Sequence, residues 1–408
     1  MAKGKSGIPA LELEVLNGLI AAIPNPPELF FSNLFGSTAY PSDTIRWEIE
    51  YNSAGMTPFV APGSIAPAVG HDGIGEASAR AAFYKEKMYF DEEFLNNLRE
   101  PGTWDVYETA ERKLARGITK LDYRCARRRE WMMCKMFVDG SISYVQKGGT
   151  KFTVSYGIPT SHQVTLTGND VWGTGSTRDP VQDIFDAKLT MANDSGVNPE
   201  YAICNSSVVK LLLFDTNVQA LLKKSAFGEG DLFKNPGMVL GTLLGIGELI
   251  IYDELYEVPA WLTANVTGSS TTVISVDDAS DFEAGGTLRF HDMSEVSTYE
   301  DETIASVDAQ AGTVTVSSAP TASFVAGEDK VTMRKKFIAD NKFMLFATRK
   351  ENMPVAEFME APYGIGRRWG RFADTKMEWD PEGLWLRVQD KGLPVLYNPD
   401  TTYTLTVA

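Results

Sequence analysis

Hydrophobic and polar positions alternate over two short stretches near the start of the chain, which predicts two strands. Residues 44–51 (TIRWEIEY) alternate β-branched or aromatic side chains with charged ones, and a similar pattern covers residues 80–90. Between them, residues 52–78 are dense in Gly, Pro, Ala and Ser but also contain large apolar side chains. A free linker would be more polar, so this excursion is predicted to cover a surface, which can belong to another chain.

The longest helical pattern runs from residue 104 to residue 138. It contains no Pro and a single Gly, Gly117, and its apolar positions recur with the helical period. At 1.5 Å per residue, such a segment forms a helix of roughly 50 Å, which is long for a globular domain. The pattern therefore predicts a spine helix along an elongated domain.

The rest of the chain mixes strand and helix patterns, which indicates an α+β protein. Strand patterns fill residues 141–172, and helices alternate with short buried strands from residue 178 onward. The tail alternates apolar and polar residues between 384 and 407. We expect these last strands to return to the domain of the spine helix.

Residues 263–332 differ from their surroundings in composition. They contain twelve acidic and two basic side chains, short β alternation and many turn residues, and neither Cys nor Trp. Such a block is typical of an inserted small β domain. Removing it would join residues 256–258 to residues 335–337, strand to strand, so a hairpin is predicted there.

Composition and charge narrow the class of protein. The 408 residues are 43% hydrophobic and carry a formal charge of −16, which favours packed domains and disfavours a free nucleic-acid binder. The longest apolar runs are too short to span a bilayer, and the start of the chain does not have the pattern of a secretory signal. Three cysteines in a chain of this length indicate a reducing compartment, with each cysteine predicted to be buried.

The search for catalytic chemistry finds no site. The three histidines lie in different segments, and no zinc spacing, Walker loop or nucleophile elbow is present. Two glycine-rich stretches, residues 73–75 and 364–370, resemble dinucleotide loops, but neither has the third glycine at the required spacing. We therefore predict no catalytic, metal or cofactor site, and no enzyme.

Large apolar or arginine side chains without an evident partner of their own are candidates for contacts between subunits. The apolar residues of the arm could pack on their own domain or reach a neighbour, and the arginines could form a solvated face, a nucleic-acid contact or ion pairs across a subunit boundary. The candidates are Leu29, Phe30, Phe31, Met56, Phe59, Val60, Ile65, Val69, Ile74, Arg127, Arg128, Arg367, Arg368, Trp369 and Arg371.

The order of elements resembles that of the lambda-type (gpE) family of phage major capsid proteins, which have the Hong Kong 97 fold. The residues that carry the resemblance are four hydrophobic frames, at 199–205 (PEYAICN), 247–254 (GELIIYDE), 337–346 (FIADNKFMLF) and 385–407. The resemblance covers most of the chain apart from residues 263–332. It is moderately specific, because these frames carry little chemistry of their own.

The resemblance implies a division of the chain and a structural function. The family parts map to an N-terminal arm (1–40), an E-loop (41–90), a peripheral domain with the spine helix (104–172 and 370–408), an axial domain (178–262 and 333–366) and the inserted all-β domain (263–332). The implied function is self-assembly as hexamers and pentamers into an icosahedral head that encloses phage DNA. An encapsulin-type nanocompartment shell and, less favoured, an enzyme with a β accessory module are the alternatives.

The resemblance also implies partners. Scaffolding, portal and decoration proteins are expected as separate chains, with packaged DNA inside, bound without sequence specificity, and no membrane. The location is then the virion, assembled in the host cytoplasm. Some family members cross-link through an E-loop lysine, but no lysine lies between Tyr51 and Ser78, so such a cross-link is not expected here. The acidic block is expected to face outward, because packaged DNA would repel it.

Overall fold

The chain forms two compact units in a computed structural model. The first comprises Met1–Met136, Asp194–Val197 and Ala347–Thr401, and the second Phe137–Asn193, Asn198–Phe346 and Thr402–Ala408. The described residues are 16–18, 20, 23–50, 56, 57, 59, 60, 65, 74–91, 110–145, 151–225, 227, 230, 234–294, 299–380 and 382–408.

The helices differ widely in length, and the second is the spine helix that the sequence predicts. It continues as a π-helical turn, Lys135–Asp139. The α-helices whose bounds lie within the described residues are α1 (Phe30–Leu34), α2 (Ala110–Cys134), α3 (Pro180–Ser195), α4 (Ser206–Leu213), α5 (Thr216–Lys224) and α6 (Pro236–Leu243).

Within the described residues, the strands belong to three larger sheets and three two-stranded ribbons. They are β1 (Ser37–Ala39), β2 (Thr44–Glu50), β3 (Ile74–Arg80), β4 (Ala82–Asp91), β5 (Ser141–Val145), β6 (Lys151–Ser155), β7 (Gln163–Thr165), β8 (Tyr201–Cys204), β9 (Glu248–Ile251), β10 (Leu255–Trp261), β11 (Val273–Ser275), β12 (Thr287–His291), β13 (Tyr299–Asp308), β14 (Thr313–Val316), β15 (Lys330–Lys336), β16 (Lys342–Phe346), β17 (Arg349–Lys350), β18 (Met353–Pro354), β19 (Ala356–Glu360), β20 (Phe372–Trp379), β21 (Glu382–Leu396) and β22 (Thr402–Thr406).

The first unit packs α2 against a sheet with strand order β1–β19–β21–β20, in which β21 also pairs with β4. Ile118 and Leu121 of α2 are buried with Leu386 of β21, and Leu16 and Ile20 of the arm join the same core. The predicted helix is therefore confirmed over residues 110–134. Leu16 and Ile20 of the arm cover part of the surface of this helix.

Gly117 explains how closely the spine helix approaches the sheet. A Cβ atom at this position would lie 2.9 Å from Cζ of Phe90 on β4, closer than van der Waals contact allows. The one glycine of the helical pattern therefore makes room for a strand.

The second unit contains a sheet of order β7–β22–β16–β8–β9. Phe343, Met344, Leu345 and Phe346 of β16 are fully buried, as expected for a central strand covered on both faces. Asn205 and Asp215 cap α4 and α5, since each side chain accepts two backbone hydrogen bonds of the following turn.

A second sheet in this unit has the order β10–β15–β12–β13–β14–β11. β10 and β15 pair antiparallel with Tyr256 opposite Lys335, which confirms the hairpin predicted around the acidic block. A bridge between Leu262 and Val276 links β11 back to the end of β10, so the sheet closes into a barrel. Phe290 stacks on Phe324 in its interior, with ring centroids 5.0 Å apart.

The unit boundaries differ from the predicted domains in several places. β22 pairs with β16, with Met344 opposite Thr404, so the last strand belongs to the second unit, whereas the spine helix belongs to the first. β5, β6 and β7 also belong to the second unit, whereas residues 347–366 belong to the first. Alternation of apolar and polar residues predicts that a segment is a strand. It does not predict which sheet that strand joins through its backbone hydrogen bonds.

Candidate inter-subunit surfaces

The predicted excursion leaves from an antiparallel ribbon formed by β2 and β3. Glu50 pairs with Ile74 at the end of this ribbon, and the excursion connects these two residues. The partner of β2 is thus residues 74–80, and the predicted stretch 80–90 continues as β4 into the large sheet of the first unit. Val69, one of the candidate contact residues, lies outside the described residues.

Four candidate residues of the excursion expose their side chains to solvent. Met56, Phe59 and Ile65 are 90%, 106% and 94% exposed, and Val60 is about half exposed. Isolated apolar side chains are common on protein surfaces, but several on one short segment indicate a contact surface. Each would contribute about 1.5–3 kcal/mol if a partner buried it fully.

The arm packs on its own chain around α1. Leu29 and Phe31 are buried, and Phe30 packs edge-to-face on Phe31 with ring centroids 5.3 Å apart. The backbone N–H groups of Phe31 and Ser32 donate to the buried carboxylate of Glu130 on α2, at 2.9 and 2.7 Å. The side chains of Leu29 and Phe31 are therefore covered by their own chain in the single subunit, and Glu130 accepts from N–H groups at the N-terminus of α1. A contact of these residues with a neighbouring subunit stays a prediction.

The three consecutive arginines of α2 have different surroundings. Arg127 is exposed, and the guanidinium of Arg128 lies 5.3 Å from the ring centroid of Trp131. Arg129 is turned toward the sheet of the first unit, where it donates to Asp390. Arg127 and Arg128 therefore stay predicted contacts, while the third arginine has an internal role.

The loop between β19 and β20 holds three further candidates. Arg367 donates to the carbonyl oxygen of Pro41 at 2.7 Å, and the indole N–H of Trp369 donates to that of Tyr40 at 2.9 Å. Arg368 stacks on the aromatic ring at the start of β20. These bonds hold the loop against the segment that leads into β2, and they leave Arg367 and Trp369 partly exposed for a neighbour.

Arg371 is partly buried and has partners within its own unit, and its contact with a neighbouring subunit stays a prediction. Its guanidinium donates to Asp122 Oδ2 on α2 and to Asn25 Oδ1 of the arm, both at 2.8 Å. Oδ1 of Asp122 is buried and has no hydrogen-bond partner among the described residues. Burial raises the pKa of Asp122 to about 6, although the Arg371 guanidinium opposes the shift.

Replacing Asp122 by Asn is expected to remove a pH dependence from the stability of the first unit. The pKa of Asp122 is about 6 in the folded chain and about 3.9 in the unfolded chain, so the folded form holds the extra proton between these values. This stabilisation is complete below about pH 4 and is lost as the pH rises through about 6, on the order of 3 kcal/mol in total.

Thermal unfolding of wild type and Asp122→Asn over this pH range measures the effect, since the other carboxylates contribute equally to both curves. Glu76→Gln, at an exposed carboxylate, is the control and should run parallel to wild type. An Asp122→Asn curve that is also parallel to wild type would contradict the assigned pKa.

A buried cluster joins α2 to the sheet, and sequence reasoning missed it. Arg129 donates to Asp390 at 2.6 Å and to Glu360 at 2.8 Å, and the hydroxyl of Tyr84 donates to Asp390 at 2.6 Å. Burial opposes the charge on Asp390, but the Arg129 guanidinium and these hydrogen bonds hold the pKa of Asp390 below its usual value. The available signal was a run of three polar residues, Gln389 to Lys391, between the apolar segments of β21.

Comparison with known proteins shows the family to which this chain belongs. The family model described as "Phage major capsid protein E" matches residues 12–304 and 298–407. The chain belongs to the phage major capsid protein E family. A search of the curated proteins found no sequence match.

Two solved structures share the fold of this capsid protein over nearly the whole chain. The crystal structure described as a proposed capsid protein of a prophage from Escherichia coli CFT073 is 12% identical, with a TM-score of 0.54, covering 97% of this chain and 99% of that one. A phage-related protein from Bordetella bronchiseptica RB50 is 11% identical, with a TM-score of 0.50 and 97% of each chain covered. The fold is the α+β fold of Hong Kong 97-type phage capsid proteins.

The capsid protein also exposes apolar side chains that sequence reasoning did not single out. Phe185 and Leu189 lie one turn apart on α3 and are both exposed, whereas Ile184 and Met191 face the core. Trp379, at the end of β20, is 96% exposed. The sequence of α3 has apolar residues on two faces of the helix, and this pattern was the available signal for exposed apolar side chains.

Several further features of this structural subunit bear on the predictions. Cys125, Cys134 and Cys204 are all buried and free, which confirms their predicted burial. The described residues contain no group of His, Cys, Asp or Glu side chains placed to hold a metal ion. None of the described helices combines the length and the apolar character needed to cross a membrane.

Proposed function

We propose that this capsid subunit assembles as hexamers and pentamers into a closed icosahedral head, with the excursion after β2 lying on a neighbouring copy. The observation that supports the proposal is the exposure of Met56, Phe59 and Ile65 on one segment of the chain. Heterologous contacts that close into a shell would bury these side chains. Such contacts increase the surface area that each subunit buries. A standard protein–protein interface buries about 1,600 Å² in total.

In this proposal the first unit acts as the peripheral domain with its arm and E-loop, and the second as the axial domain. The barrel between β10 and β15 is an inserted module that faces outward, since its block of twelve acidic and two basic side chains would be repelled by packaged DNA. The head encloses DNA without sequence-specific contacts. Scaffolding, portal and decoration proteins act as separate chains, and assembly takes place in the host cytoplasm.

Sedimentation of the purified chain, followed by electron microscopy, tests the proposal. Megadalton closed particles are expected, and a chain that stays monomeric with and without its scaffolding partner would contradict it. An encapsulin-type shell is less supported, because the matching family is that of phage capsids. Particles from infected cells that enclose an enzyme cargo in place of DNA would favour that alternative.

A further inference from the structure

The outer face of the barrel contains a row of four residues on neighbouring strands. Trp261 of β10 lies opposite Lys330 of β15, Lys330 opposite His291 of β12, and His291 opposite Tyr299 of β13. Residues that are partners in register project to the same face of a sheet, about 4.8 Å apart from strand to strand. The two aromatic side chains therefore flank a lysine and a histidine.

Two more apolar residues lie beside this row. The buried carboxylate of Asp329 accepts hydrogen bonds from the backbone N–H groups of Met293 and Val325, at 2.9 and 2.8 Å, which brings these residues next to Lys330. Trp261, Met293, Tyr299 and Val325 are all between 42% and 54% exposed. The outside of a small barrel is usually polar, so four exposed apolar side chains grouped together indicate a binding surface.

The charges at this surface are of both signs. Lys330 begins β15, and the exposed Glu328 lies in the turn that leads into this strand. Neither forms an ion pair with any described residue. Other charges of the barrel do: Arg289 donates twice to Asp301, at 2.7 and 2.6 Å, and Lys335 lies 2.7 Å from Glu283. We call the six residues of this surface the Lys330 patch: Trp261, Met293, Tyr299, Val325, Glu328 and Lys330.

We propose that the Lys330 patch binds the same patch on a second copy of this chain. A patch that carries one unpaired cation and one unpaired anion beside an apolar surface complements itself in a two-fold contact, in which Lys330 of each copy meets Glu328 of the other. The inference rests on the proposed assembly into a shell. A contact this small is far below the roughly 800 Å² per partner of a stable interface, so it forms only where the shell raises the local concentration of copies.

Cross-linking through an introduced cysteine tests the contact. The three native cysteines are buried, and burial raises the pKa of the Cys125 and Cys204 thiols, so a short bis-maleimide reports only the new thiol. Val325→Cys particles are expected to give covalently linked dimers of the capsid chain, and free subunits are not. Met293→Cys repeats the measurement on the other side of Asp329.

Thr287→Cys is the matched control, because Thr287 is exposed on the same face as His291 but lies roughly 13 Å from it along β12. Adding Lys330→Glu to Val325→Cys should lower the dimer yield about fivefold. Adding Glu328→Lys as well should restore it, since the reversed pair can still meet across the two-fold axis.

The outcomes separate this inference from the proposed function. Normal particles in which Val325→Cys and Met293→Cys link no better than Thr287→Cys would overturn the two-fold contact and leave the shell intact. Linkage to a different protein would overturn it as well. Wild-type chains that form no particles would overturn both the contact and the proposed shell.

Discussion

Removal of residues 56–73 is expected to leave a folded, soluble subunit that forms no closed shells. The deletion ends before β3 and leaves residues 51–55 as a five-residue loop between Glu50 and Ile74, which pair at the end of the ribbon. Loops of this length are common in hairpins. The ribbon and both units should therefore fold normally, while the surface that covers a neighbour is lost.

The size of the effect follows from the exposed side chains. Met56, Phe59 and Ile65 are almost fully exposed in the single subunit, and burial against a neighbour would contribute about 1.5–3 kcal/mol for each. Because every copy in a shell would repeat this contact, its loss should abolish closed particles and not merely weaken them. Sedimentation and electron microscopy measure the particles, and calorimetry verifies that the thermal unfolding temperature is unchanged.

Two variants of full length identify the cause. Replacing the three apolar residues together by Ser keeps the length of the excursion and should also prevent closure. Thr57→Ser, at an exposed polar position in the same segment, should assemble like wild type. Closed shells of normal size from the deletion would show that the excursion is not the contact that holds copies together.

The local elements of this protein were accessible from its sequence because they depend on periodicity and composition. The spine helix follows from an uninterrupted helical pattern, and α2 is described from Ala110 to Cys134. The hairpin of β10 and β15 follows from a change of composition, since a block with its own charge and β alternation interrupts a strand pair. Both signals lie within one stretch of chain.

Partners that are distant along the chain were not accessible in this way. The run of arginines on α2 predicts a charged face, but only the tertiary structure brings Arg129 to Asp390, which lies 261 residues away. In the same way, Arg371 is attached to Asp122 across 249 residues, and β22 is attached to β16. Charge and alternation predict the kind of partner that a residue or strand has, whereas the tertiary structure determines which group is that partner.

Asp390→Ala is expected to destabilise the first unit more than any other single substitution in its polar groups. The side chain of Asp390 is fully buried and binds Arg129 and Tyr84, so its removal leaves a buried guanidinium with Glu360 as its remaining acidic partner. Breaking a buried ion pair in this way costs about 3–5 kcal/mol. In a unit of this size that corresponds to a fall of roughly 6–20 °C in the unfolding temperature.

Arg46→Ala is the matched control, because Arg46 forms an exposed ion pair with Glu76 at 3.8 Å in the same unit. Loss of such a pair changes stability by no more than about 1 kcal/mol. Calorimetry of the unassembled subunit compares the two variants, and Asp390→Asn, which keeps the shape but removes the charge, should lie between them. Equal unfolding temperatures for Asp390→Ala and Arg46→Ala would show that α2 is held to its sheet by apolar packing alone, with the buried charges contributing nothing to its attachment.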